Sequence, residues 1–245
     1  VRAVAVVPLR DGVSGKSRLA TGLDPVARRR LVAALARHVV GTLLAVDDVV
    51  GVVVVTADPP FVREVLAGLG TAADAVGAVT DDGGPSGGTD VGRLRVLAQP
   101  ADRPGLNAAL DVAREALVAE GVPAARLLVA HADLPALAPA DVAALLAAGT
   151  STGTGTSAGT GVGADVVVAT DRHGTGTNLL VVPLTGPGAR FAFRFGVGSR
   201  AAHEAEAARH GLRAVVVERP GTAADLDTLD DWDELPPAVR ARLAG

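Results

Sequence analysis

The chain has no cysteine and no tyrosine, and only one tryptophan and four phenylalanines among 245 residues. Without thiols there is no disulfide framework and no thiolate metal site, which fits a reducing cytoplasm. With so few rings, Val, Leu and Ala must fill the core. The same scarcity, with a formal net charge of −4, argues against a nucleic-acid surface built on stacking and basic patches. No apolar run approaches the length that crosses a bilayer. Val1 to Leu9 is apolar apart from Arg2, but Arg10 and Asp11 interrupt it before the three regions of a signal peptide can be laid out.

Lysine is the other scarcity. Of 23 basic residues only Lys16 is not arginine. Its compact ammonium, with three rotatable donors, is something a planar guanidinium cannot imitate. The apolar run ending at Pro8 reads as a buried strand, and Asp24-Pro25 as the capped start of a helix reaching about Val46. Lys16 therefore belongs to the loop after the first strand, where open α/β sheets hold ligands. Gly15-Lys16-Ser17 imitates the end of a P-loop, but that motif needs glycine where this chain has Arg10. Gly196-Val197-Gly198-Ser199 imitates a dinucleotide fingerprint, with Glu218 at a suitable distance. Too little chain follows Glu218 to complete a mononucleotide-binding half.

Apolar segments then alternate with amphipathic ones. Strands are expected over 51–57, 74–80, 93–99, 126–132, 164–170, 179–182 and 213–217, with 191–195 strand-like as well. Helices are expected over 59–69, 104–120, 139–148 and 199–210. This alternation implies one α/β domain with a mostly parallel sheet covered on both faces. Two segments, near 81–92 and 149–163, are rich in Gly, Ser, Thr or Asp without apolar periodicity and read as surface insertions.

Carboxylates gather at expected strand ends. Asp133 follows the strand ending His131-Ala132, and Asp225-Leu226-Asp227-Thr228 follows a Pro220-Gly221 turn. Residues two apart in an extended segment point the same way, so Asp225 and Asp227 can share one cation. Hard oxygen donors without Cys or a His cluster suit Mg²⁺, held by one or two carboxylates and substrate phosphates. His131 and His203 read as structural.

Five motifs occur in order: Lys16-Ser17-Arg18-Leu19-Ala20, Pro104-Gly105-Leu106-Asn107-Ala108-Ala109-Leu110, Ala132-Asp133-Leu134-Pro135, Gly174-Thr175-Gly176-Thr177-Asn178 and Phe195-Gly196-Val197-Gly198-Ser199. In this the chain resembles the phosphoenolpyruvate or 2-phospho-L-lactate guanylyltransferases of deazaflavin coenzyme (F-420) biosynthesis. The resemblance implies a single-domain, nucleotide-diphospho-sugar-transferase-like, Rossmann-like α/β/α fold. It implies GMP transfer from GTP to a phosphorylated three-carbon acid, with release of pyrophosphate. It further implies that Lys16 and Arg18 neutralise the triphosphate, and that Asp133, Asp225 and Asp227 hold Mg²⁺. Thr177, Gly196 and Ser199 bind the acceptor phosphate on this reading, and Gly105 and Asn107 are the expected nucleotide contacts. The Ala/Arg-rich composition, like that of actinobacterial chains, favours phosphoenolpyruvate as acceptor. A labile product would make hand-off to a downstream deazaflavin transferase attractive. A different nucleotidyltransferase, for a sugar phosphate or a pterin, or a non-catalytic dinucleotide-binding module, are the alternatives.

Overall fold

A central sheet of seven strands runs in the order β3-β2-β1-β4-β6-β5-β7. The structure is a computed structural model that describes residues 2–10, 19, 22–69, 93–149 and 166–244. Lys16 and Arg18, the strand expected over 74–80 and nearly all of both Gly-rich segments lie outside those residues.

The strands are β1 (Ala3–Pro8), β2 (Val49–Thr56), β3 (Leu94–Ala98), β4 (Arg126–Ala130), β5 (Val166–Ala169), β6 (Leu179–Pro183) and β7 (Ala214–Val217). Their central members are buried along their whole length, so they read as continuous valine and leucine runs rather than alternations. β3, β2, β1 and β4 are mutually parallel. β6 alone runs against its neighbours β4 and β5, and β7 pairs parallel to β5.

Helices α1 (Pro25–Leu44), α2 (Pro59–Leu66) and α4 (Pro139–Ala148) cover one face. There Ala3, Ala5 and Val7 of β1 pack with Leu128 and Ala130 of β4. Helices α3 (Leu106–Ala119) and α5 (Ser199–Arg209) cover the other, against Val4, Val6, Leu127 and Val129. Asp24 caps α1 as its position before Pro25 implies, its Oδ1 accepting the N–H groups of Val26 (2.8 Å) and Ala27 (2.9 Å). Three short helices close the chain: α6 (Pro220–Ala223), α7 (Leu229–Glu234) and α8 (Pro237–Ala244). None of them was anticipated in the sequence, because each is too short to show a helical period.

Residues 191–195 are extended but join no ladder. Phe191, Phe193 and Phe195 point into the core, and side chains from two helices satisfy the backbone instead. Glu206 accepts the Ala192 N–H (3.1 Å), His203 accepts that of Arg194 (3.0 Å), and Arg114 donates to the Phe191 carbonyl. The alternation that reads as a strand is real; its hydrogen-bond partners are α5 and α3 rather than another strand.

Candidate active site

Four parallel strands end on one cavity of about 770 Å³. Pro8 ends β1 and Leu9 and Arg10 follow it, Ala57 follows β2, Gln99 and Pro100 follow β3, and His131, Ala132 and Asp133 follow β4. This is the carboxyl edge of the sheet. In the sheet β1 lies between β2 on one side and β4 on the other, and open α/β sheets keep a crevice where the chain connections run to opposite sides.

Asp227 lines the same cavity, carried there by the segment after α6. Three contacts fix that segment. The Leu226 N–H donates to the Asp133 carbonyl (3.0 Å), and its side chain is fully buried with Leu19, Leu31, Leu35, Leu235 and Leu243. The Asp231 carboxylate accepts the backbone N–H of Asp227 (2.9 Å) and of Thr228 (2.7 Å). Burial alone would raise the Asp231 pKa; its hydrogen bonds from Thr228, Asp227 and Arg172 outweigh that and hold it below the usual carboxylate range. Asp231 positions the Asp227 backbone, a role that sequence reasoning missed. Its signal was there, in the Thr228-x-x-Asp231 capping box that starts α7. Truncating the buried anchor, Leu226→Ala, is expected to cost about 2–5 kcal/mol of stability, read as a lower urea midpoint.

Asp225 departs from expectation. It lines a second cavity, with Asp141, Arg172, Asp231 and Glu234, and is not among the residues lining the first. With Leu226 anchored in the core and the Asp227 backbone turned toward Asp231 at the start of α7, the segment is not a regular strand. Asp227 thus shares a cavity with Asp133, and Asp225 borders the neighbouring one.

The two glycine-rich motifs meet as the sequence suggests. The Arg200 N–H donates to the Thr175 carbonyl (3.1 Å) and its Nη1 to the Gly174 carbonyl (3.0 Å). Gly196 and Gly198 have φ of +140° and +69°, conformations that a side chain resists, and Gly198 caps α5. The Ser199 N–H turns back to the Gly196 carbonyl (3.1 Å), and both Ser199 and Thr177 are buried. His131 joins this pair of turns to the cavity. Its backbone N–H donates to the Asn178 carbonyl (3.1 Å), and its ring lies 5.1 Å from that of Phe195.

Asn107 holds the same region from below. Its Oδ1 accepts the Phe195 N–H (2.9 Å) and its Nδ2 donates to the Phe195 carbonyl (3.1 Å). The amide expected at the nucleotide thus fixes the backbone entering the Gly196 turn, whereas Gly105 lines the cavity itself.

His203 is fully buried between Phe191 and Phe195. Because Nε2 accepts the Arg194 N–H, the proton resides on Nδ1, which donates to Thr177 Oγ1 (3.0 Å). Burial, reinforced by the neighbouring His131 ring and opposed by Glu206, pulls its pKa from 6.5 to about 4. The unfolded chain therefore takes up this proton first as pH falls. The contribution to stability is complete above pH 6.5 and declines toward pH 4, with about 2 kcal/mol lost by pH 5. His38, also lowered by burial and by Arg242, acts in the same direction. Urea unfolding at pH 7 and pH 5 is expected to show this loss, and His203→Asn to be weaker at pH 7 and flatter between the two.

A mixed, mostly parallel sheet with carboxylates and glycine turns at its carboxyl edge is an arrangement of nucleotide-binding α/β proteins. A solved nucleotidyl transferase from Methanothermobacter superposes with a TM-score of 0.60 at 19% identity, covering 99% of this chain and 98% of that one. The chain belongs to the family described as "Guanylyl transferase CofC like", which it matches over residues 89–236. It is 37% identical over 232 residues to the phosphoenolpyruvate guanylyltransferase of Rubrobacter xylanophilus, covering 94% of this chain and 92% of the relative. It is 33% identical over 242 residues to that of Conexibacter woesei, covering 98% and 90%. No described helix is long and apolar enough to cross a membrane.

Proposed function

We propose that this protein transfers GMP from GTP to the phosphate of phosphoenolpyruvate, forming a diphosphate-linked product and pyrophosphate. The observation that carries the reading is the placing of Asp133 and Asp227 on one strand-end cavity, next to the joined Gly174–Asn178 and Phe195–Ser199 turns. An oxygen of the acceptor phosphate attacks the α-phosphorus, a new P–O bond forms, and the α–β bridging P–O bond breaks. The attacking phosphate is already ionised, so no protein base is required. Two polyanions must instead be aligned and their charge offset.

In this proposal Thr177, Gly196 and Ser199 take the acceptor phosphate. His203 keeps Thr177 supplied with an Nδ1–H donor, so the threonine's own O–H is left to point at an anion. Gly105 borders the nucleotide, and Asn107 acts through Phe195. Lys16 and Arg18, outside the described residues, are assigned to the triphosphate.

Asp133 and Asp227 are hard donors that fit Mg²⁺. No set of three His, Asp or Glu side chains is gathered in metal-holding geometry among the described residues. Mg²⁺ commonly takes the rest of its shell from water and substrate phosphates. Bound there, Mg²⁺ would supply positive charge between the attacking and α-phosphates. Asp225 is left to the neighbouring network around Arg172.

The test is phosphorus NMR of the reaction as it runs, with GTP and phosphoenolpyruvate. A new pair of coupled diphosphate signals that also needs the acid supports the reading. Free GMP or GDP alone would contradict it. If the product decays quickly, adding the downstream deazaflavin-accepting transferase should pull the reaction forward, which is where direct hand-off would operate.

A further inference from the structure

Building on the proposed guanylyl transfer, we infer that Gln99 reads the nucleobase, its side-chain Oε1 accepting from the N1–H and 2-amino edge of guanine. Gln99 is the first residue beyond β3, and its backbone N–H extends the ladder by donating to the Thr56 carbonyl (2.7 Å). Its side chain lines the strand-end cavity. Nε2 gives one proton to the Arg103 carbonyl (2.6 Å) and the other to the Gly105 carbonyl (2.9 Å).

Both partners are carbonyls, which only accept, so the orientation of the amide is dictated by the network. Gly105 has a φ of +95°, which a side chain would resist, and in this turn its carbonyl meets Gln99. Oε1 is consequently the free end of the side chain. It has no hydrogen-bond partner among the described residues and is not among the buried unpartnered atoms, so it is open to what enters the cavity.

The surroundings suit a purine. Pro8, Val55, Pro100, Pro104, Leu106 and Ala109 supply apolar walls. Gln99 stands at the end of β3 and Asp133 beyond β4, three strand positions away. At the usual strand spacing that is about 14 Å, room for one nucleotide to lie with its base at Gln99 and its phosphates at the carboxylates.

A fixed acceptor at this point discriminates by chemistry. Guanine offers donors at N1 and N2, whereas adenine presents a lone pair at N1 and cytosine one at N3. Rotating the amide to serve adenine would turn Oε1 toward two carbonyls, so the site cannot adapt cheaply. Uracil offers a donor at N3 but lacks the second ring that fills the walls.

The experiment compares kcat/KM for GTP, ITP, ATP and 2-aminopurine riboside triphosphate, with phosphoenolpyruvate as acceptor, in the unaltered protein and in Gln99→Leu. Equilibrium binding of the same nucleotides without acceptor is measured alongside. The unaltered protein should favour GTP over ATP and 2-aminopurine by about 10²-fold or more, with ITP, which keeps N1–H, closer to GTP. Gln99→Leu should collapse the GTP-to-ATP ratio by at least about tenfold in both rate and binding. A ratio unchanged by Gln99→Leu overturns the inference while leaving guanylyl transfer standing. Efficient use of 2-aminopurine by the unaltered protein overturns it without any variant, should Gln99→Leu not fold. Nucleotide binding with this preference but no transfer to the acid would support the base reading and reject the reaction.

Discussion

Asp133→Asn and Asp227→Asn are each expected to lower kcat by about 10²- to 10³-fold with both substrates saturating. Each change removes one negative charge and keeps the shape of the side chain. Both carboxylates line the cavity at the strand ends, and Leu226 holds them together through the Asp133 carbonyl. Asp225→Asn is the internal control. Its carboxylate lines the neighbouring cavity with Arg172, so its effect on kcat should stay within about tenfold, as expected for a charge outside the reacting centre. Steady-state rates for the three variants, beside matching unfolding curves, decide the point. Equal losses at all three positions would restore the shared-cation arrangement of Asp225 and Asp227 and remove the distinction drawn between the two cavities.

Lys16→Ala is expected to lose about 10²-fold or more in kcat, and Lys16→Arg to recover little of it. The argument is chemical. Twenty-two positive charges in this chain are arginines, and the only lysine follows β1 in the sequence; the end of β1 borders the cavity at Pro8, Leu9 and Arg10. A compact ammonium can follow a phosphate oxygen as charge builds on it, whereas a guanidinium needs a planar, two-point partner. Full activity in Lys16→Arg would show that charge alone is needed there and would remove the special role of the lysine.

Much of this architecture is legible in the chain. Valine and leucine runs mark β1, β2, β4 and β6 because strands buried on both faces need no alternation, and Asp24-Pro25 marks α1 by its capping chemistry. The meeting of Gly174–Asn178 with Phe195–Ser199 is legible too, but only through resemblance; nothing in their spacing reveals that Arg200 bridges them. What is not legible depends on contacts between distant residues. The reversal of β6, the use of Glu206, His203 and Asn107 in place of a strand partner for 191–195, and the placing of Asp225 and Asp227 on different cavities all arise from tertiary packing. Gln99 gave no signal in the sequence, because its meaning lies in which of its two amide atoms the 103–105 turn consumes.

The central claim is tested most directly by pyrophosphate release. The protein is incubated with GTP and Mg²⁺, and with either phosphoenolpyruvate, 2-phospho-L-lactate or no acid. The account predicts release that depends on GTP and on phosphoenolpyruvate, with phospholactate the weaker acceptor, and that vanishes in Asp133→Asn. Release without any acid, or none with either acid from a folded protein, would contradict it.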